Sequence, residues 1–203
     1  MPPGTPTKRL ELVTNAGRFT DYVVGGSLVT QLALANLGCI AVHIMASHMN
    51  SPRQPDWICI EIDPEVGAIR GCRPGGTSRQ SRLGGLDLVS YPKTSGSRGL
   101  HVLVPIRVGP DADQVLAFAK SFVDRVASAH PYELTFEHSV AARRGRFCLD
   151  PFRNGFGQTV VAPYSVRHRE KAPISTPCLG RRWHRRWCRP IQLGEFRHTG
   201  QPI

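Results

Sequence analysis

The chain has 203 residues, 40% of them hydrophobic, and its 26 Lys and Arg against 15 Asp and Glu give a formal net charge of +11 at pH 7. This length supports one domain, or one with a minor lobe, large enough to bury a core. So strong an excess of base excludes an acidic surface and favours a polyanionic partner.

The first thirty residues are rich in Pro and Thr and contain no apolar core region, so they do not read as a signal peptide. Residues 23–44 are apolar but broken by Gly25, Gly26, Gln31, Asn36, Gly38 and His43. A buried helix over 28–37 followed by a strand over 39–44 fits that pattern better than a membrane span. Further strands are expected at 56–62, 88–92, 100–106, 146–150 and 158–162, where short apolar or β-branched runs are bounded by Pro, Gly and Asp. The clearest helix runs over 111–129. Asp111 caps it, Pro110 and Pro131 bracket it, and Val115, Phe118, Ala119, Phe122, Val123 and Val126 recur at helical spacing as a core-facing stripe. Residues 67–84 are rich in Gly, Pro, Arg and Ser and offer no such stripe.

Two of these strands end in acid. Trp57-Ile58-Cys59-Ile60 leads into Glu61-Ile62-Asp63, and Phe147-Cys148-Leu149 leads into Asp150. In a strand, residues i and i+2 share a face and lie about 6.5–7 Å apart along it. Glu61 and Asp63 can therefore address one point, and Asp150 on a neighbouring strand would complete a set of hard oxygen ligands for Mg²⁺ or Mn²⁺. Between them, the turn from Lys93 to His101 combines Gly and Ser with Lys93, Arg98 and His101. Successive backbone N–H groups in such a turn form an anion nest. It lacks GxxxxGK[ST], which excludes a P-loop NTPase. A phosphate-binding turn beside a carboxylate site is what metal-dependent phosphoryl or nucleotidyl transfer requires.

The six cysteines form no CxxC pair, which argues against a zinc ribbon. Cys59 and Cys148 fall inside predicted core strands, a pattern that suits a reducing cytoplasm.

In order along the chain, LANLGCIAVH (34–43), RQPDWICIEIDP (53–64), LVSYPKTSGSRGLHVLVPI (88–106), AARRGRFCLDPFRNGFGQTVVAPYSVR (141–167) and KAPISTP (171–177) resemble the polymerase/primase module of bacterial ATP-dependent DNA ligase D, of the archaeo-eukaryotic primase superfamily. The resemblance implies an α/β (α+β) primase-like fold in which an RRM-like catalytic sheet is backed by helices. It implies a metal-dependent nucleotidyltransferase that extends or fills DNA ends in non-homologous end joining, in the bacterial cytoplasm and at the nucleoid. Nucleoside triphosphates would be its substrate, two Mn²⁺ or Mg²⁺ ions its cofactor, and ligase and nuclease modules and Ku its partners.

Residue by residue, Glu61, Asp63 and Asp150 fall on three metal-binding aspartates, with Glu61 one methylene longer than the family's residue. Ser95 and His101 fall on positions that contact the triphosphate, Lys93 opens the KTSG signature, and Arg167, with Ser165 near it, matches a phosphate-binding arginine. Arg153 matches an active-site arginine, and His43 a histidine near the nucleotide sugar. Arg143, Arg144 and Arg146 form a basic stretch for DNA. On this resemblance residues 34–177 are the catalytic core. Residues 1–33 are an atypical, shortened N-terminal segment and 178–203, with RRWHRRWC inside, an atypical basic tail of a locally degenerate reading frame. Two other function classes follow from the same residues: an inactive remnant that binds nucleotide or DNA, and a non-enzymatic RRM-like nucleic-acid-binding module.

Overall fold

The structure is a computed structural model that describes residues 4, 5, 8–13, 17, 19–64, 81–82, 88–178 and 191–192. Most of residues 67–84 and nearly all of the basic tail lie outside the described residues.

At the centre is a six-stranded sheet. Its strands are β4 (Trp57–Asp63), β5 (Ser81–Arg82), β6 (Val89–Thr94), β7 (Leu100–Pro105), β8 (Leu134–Thr135) and β9 (Phe147–Asp150), in the order β5-β6-β7-β4-β9-β8. All neighbours are antiparallel except β8 and β9, which run parallel. The central strands are largely apolar, and their polar residues gather at one end of one face. Ile58, Ile60, Val104 and Leu149 point to one face, where Val115, Ala119 and Val123 of α2 (Ala112–Ala129) cover them. Asp111 caps that helix, and with Gln114 it completes a capping box. The opposite face receives Cys59, Glu61 and Asp63 from β4, and His101, Lys93 and Asp150 from the strands beside it.

Three smaller antiparallel pairings accompany the sheet, one of them β11 (Pro173–Ile174) with β12 (Ile191–Gln192). β3 (His43–Met45) pairs with β10 (Thr159–Val161), which fixes His43 opposite Val161. The predicted strand over 39–44 is thus realised only at its end. Before it, the Val42 N–H donates to Ser165 Oγ at 2.9 Å, and the Val42 carbonyl accepts from Ala162 N at 2.9 Å. An N-terminal hairpin, β1 (Lys8–Val13) with β2 (Phe19–Val24), was not predicted. It sends Leu12 into a small cluster with Ala112 and Phe156, and the Tyr22 hydroxyl donates to the Gly157 carbonyl at 3.0 Å.

Helix α1 (Leu28–Asn36) forms where expected, with Ser27 Oγ accepting from the Thr30 N–H. It is not the buried helix that its apolar composition predicts: only Thr30 is buried, and Leu28 and Leu32 are 71% and 61% exposed. Apolar residues surround this helix without forming a stripe, so no single face directs it into the core. Among the described residues no helix is long and apolar enough to cross a membrane. Cys59, Cys148 and Cys178 are buried free thiols, and burial pushes Cys59 up to about 12 and Cys148 up to about 11, which leaves both unreactive.

Candidate active site

Strand register builds the site. On β4 and β9, Glu61 stands directly opposite Asp150; on β4 and β7 it stands opposite His101; on β7 and β6, His101 stands opposite Lys93. Directly opposed residues share a face. Lys93, His101, Glu61 and Asp150 therefore form one row across four adjacent strands. Asp63, two residues beyond Glu61, joins the same face opposite Cys148.

Each acid has a partner. Arg153, on the 3₁₀ turn Phe152–Asn154 just after β9, donates its Nε–H to Glu61 Oε2 at 2.8 Å. His101 Nε2 lies 3.6 Å from Glu61 Oε1, longer than a hydrogen bond but close enough for charge. Burial opposes ionisation of Glu61, yet the adjacent His101 and Arg153 outweigh it and hold the carboxyl down to about 2. Of those two, the permanently charged guanidinium is the partner that acts at neutral pH, because burial lowers the pKa of His101. Asp63 Oδ2 accepts from Arg143 Nη1 at 2.9 Å, and Asp150 Oδ1 accepts from the Phe152 N–H at 2.7 Å.

Three carboxylates on one face are the hard oxygen donors that suit Mg²⁺ or Mn²⁺. In type and in register they fit such an ion. Their side chains are drawn to the partners just described, and among the described residues no three Asp, Glu, His or Cys side chains are gathered closely enough to hold a metal.

The turn after β6 is shaped by glycine. Gly96 has φ +67°, and a Cβ there would stand 2.6 Å from the Arg167 side chain and 3.0 Å from Ser175 N. Only glycine admits both the backbone and that approach. Ser95 is buried, and its Oγ accepts from the Ser97 and Gly99 N–H groups at 3.2 Å each, so the hydroxyl organises the turn. Arg98 is exposed at its tip.

Arg167 carries the site onward by donating from Nη1 to His43 Nε2 at 3.2 Å. His43 Nδ1 lies 3.3 Å from Thr159 Oγ1. Burial lowers the pKa of His43, and the charges of Arg167, Arg153, His101 and Lys93 lower it further. Five basic groups thus face one another around the acids. Ser165 is buried and serves the backbone of Val42.

The three arginines assigned to DNA do not form one basic face. Arg143 is buried, with Nε on the Glu137 carbonyl at 2.9 Å, Nη2 on the His138 carbonyl at 3.0 Å and Nη1 on Asp63. Arg146 turns back to the Arg143 and Pro131 carbonyls. Arg144, in a left-handed conformation at the end of α3 (Val140–Arg143), is the exposed one.

Two residues with clear roles here lay inside quoted segments but carried no assignment. Asn154 is buried; its Oδ1 accepts from the Cys59 N–H at 2.7 Å, and its Nδ2 donates to the Cys59 and Pro151 carbonyls. It thereby staples the turn carrying Arg153 to the strand carrying Glu61. Ser175 is fully buried against Lys93 and Thr94. No sequence pattern singles them out: Asn154 follows Arg153 in a Gly-rich turn, and Ser175 stands beside Thr176 in KAPISTP.

The fold is a mixed sheet with helix α2 on one face and an acid-and-base row on the other. The model of the LigD primase-polymerase domain matches residues 1–184, and the chain belongs to that family. The match takes in the N-terminal hairpin as well as the sheet. The chain is 32% identical over 143 residues to the multifunctional non-homologous end joining protein LigD of Pseudomonas aeruginosa, covering 70% of this chain and 17% of that protein. It is 32% identical over 175 residues to the multifunctional non-homologous end joining DNA repair protein LigD of Mycobacterium tuberculosis, covering 81% of this chain and 23% of that one. The chain thus spans under a quarter of the length of these relatives. The structure of the polymerase domain from Mycobacterium tuberculosis ligase D in complex with DNA superposes with a TM-score of 0.70 at 23% identity, over 87% of this chain and 65% of that chain.

Proposed function

We propose that this chain is a nucleotidyltransferase that adds nucleotides to DNA ends during bacterial end joining, using nucleoside triphosphates. The observation that carries this proposal is the cross-strand row of Lys93, His101, Glu61 and Asp150 in a chain of the primase-polymerase family.

Glu61, Asp63 and Asp150 would hold Mg²⁺ or Mn²⁺, which when bound neutralises the triphosphate and the developing charge. The chain's own groups bind and orient. Arg167 and Arg153 suit paired contacts to phosphate oxygens, the 95–99 turn offers backbone N–H groups, and His101 and His43 border the same space. The net charge of +11 favours DNA as the second substrate. Ku and ligase and nuclease modules, which other parts of a LigD protein would engage, are the expected partners, and the bacterial cytoplasm the place of action.

One observation favours a second reading, a nucleotide- or DNA-binding remnant without activity. Glu61, the longer acid, is held by Arg153 rather than gathered with Asp63 and Asp150. Incubating the protein with a 3′-overhang DNA duplex, nucleoside triphosphates and Mn²⁺ separates the two: extended products support the enzyme, and binding without extension supports the remnant.

A further inference from the structure

Lys93 is 1% exposed, so its ammonium cannot reach a substrate phosphate directly. Its hydrogen bonds lead elsewhere. Ser175 Oγ gives its single proton to the Thr94 carbonyl at 2.8 Å and so accepts from Lys93 Nζ at 2.8 Å. Nζ also lies within hydrogen-bond distance of His101 Nδ1, 3.0 Å away. The segment supplying Ser175 is itself tied to β6, with Thr94 N donating to the Thr176 carbonyl and Cys178 N to the Pro92 carbonyl, both at 2.8 Å.

An ammonium donates and never accepts, and a neutral imidazole holds one proton. With Lys93 donating to Nδ1, the proton of His101 sits on Nε2, the atom 3.6 Å from Glu61 Oε1 on the site face. We propose that Lys93 is a positioning residue: held by Ser175, it locks His101 in the Nε2–H tautomer so that the imidazole presents a donor to a phosphate oxygen beside Glu61. The opposite tautomer would present a lone pair there and repel the anion. The inference rests on the nucleotide-binding reading given above for what the donor meets, though not for the tautomer itself.

The test is long-range ¹H–¹⁵N NMR of the histidine side chains near neutral pH, with His101 assigned by the signals lost in His101→Gln. Wild type is expected in the Nε2–H form. Lys93→Met removes the donor and should give a mixture or the Nδ1–H form, while Lys93→Arg, another pure donor, should restore the original signature. In parallel, Lys93→Met should weaken nucleoside triphosphate binding about 10-fold or more, the value of one hydrogen bond to a charged group. A wild-type His101 in the Nδ1–H form overturns the proposal even if neither Lys93 variant folds, and so does a Lys93→Met spectrum identical to wild type. If the tautomer behaves as expected but wild type binds no triphosphate, the positioning stands and the nucleotide reading falls.

Discussion

Arg153 and Glu61, 92 residues apart in sequence, meet at 2.8 Å through Nε and Oε2. The contact joins the turn after β9 to the end of β4 and places a fixed positive charge against the acid most central to the sheet face. It also gives Glu61 a pH signature. The acid ordinarily titrates near 4.5 and here is held down to about 2, so its stabilising contribution is present above 4.5 and is lost as pH falls toward 2. Unfolding midpoints measured across that window should fall more steeply for wild type than for Glu61→Gln. Parallel curves would show that the pair contributes nothing.

Asn154 should be a sensitive polar position near the site. Asn154→Ala leaves the Cys59 N–H and carbonyl, both inside β4, without their side-chain partner. Each orphaned buried group costs about 1–3 kcal/mol. We expect a loss on the order of 3 kcal/mol in denaturant unfolding, whereas a loss below about 0.5 kcal/mol would show that the staple is not needed.

Arg143 and Arg144 are neighbours in sequence with opposite expected behaviour. Arg143→Ala removes a buried guanidinium from Asp63 and two carbonyls and should cost about 3 kcal/mol of stability. Arg144→Ala should leave stability within about 0.5 kcal/mol, as for most exposed positions. If Arg144 meets a DNA phosphate, its removal should lower the slope of log K against log salt by about 0.9. Stability measurements paired with salt titrations would show whether the two roles are instead reversed.

Lys93 predicts an alkaline effect of the other sign. Burial lowers its pKa from 10.5 to about 8, so between those values the unfolded chain binds the extra proton and stability rises with pH. Relative to Lys93→Met, wild type should therefore gain stability from pH 8 toward pH 10.5. A flat difference across that range would mean that the ammonium is not desolvated as its burial indicates.

Much of this fold is legible in the sequence because local pattern decides it. The strands at 57–63, 100–105 and 147–150 and the capped helix at 112–129 follow from short apolar runs, helical spacing and turn residues. That Glu61 and Asp63 share a face follows from the strand period alone. What sequence pattern does not reach is pairing between distant segments. The register that opposes Glu61 to both His101 and Asp150 is set by the whole sheet. Composition could not show that Arg143 would turn inward to Asp63 while Arg144 stays in solvent. Lys93 reads as a phosphate-binding charge of the turn, and only the structure shows it buried against Ser175 of the 173–178 segment. The N-terminal hairpin alternates Leu10 and Leu12 with Arg9 and Glu11, a strand signal too short to stand without its partner.

The most direct test of the central claim is nucleotide addition to a labelled 3′-overhang DNA with Mn²⁺, comparing wild type with Asp63→Ala, Asp150→Ala and Glu61→Asp. Wild type should extend the strand, and both alanine variants should lose at least about 100-fold in rate while keeping most of their DNA affinity. Glu61→Asp tests whether the longer acid limits the rate, and it should match or exceed wild type. Undiminished extension by Asp63→Ala and Asp150→Ala would contradict the account.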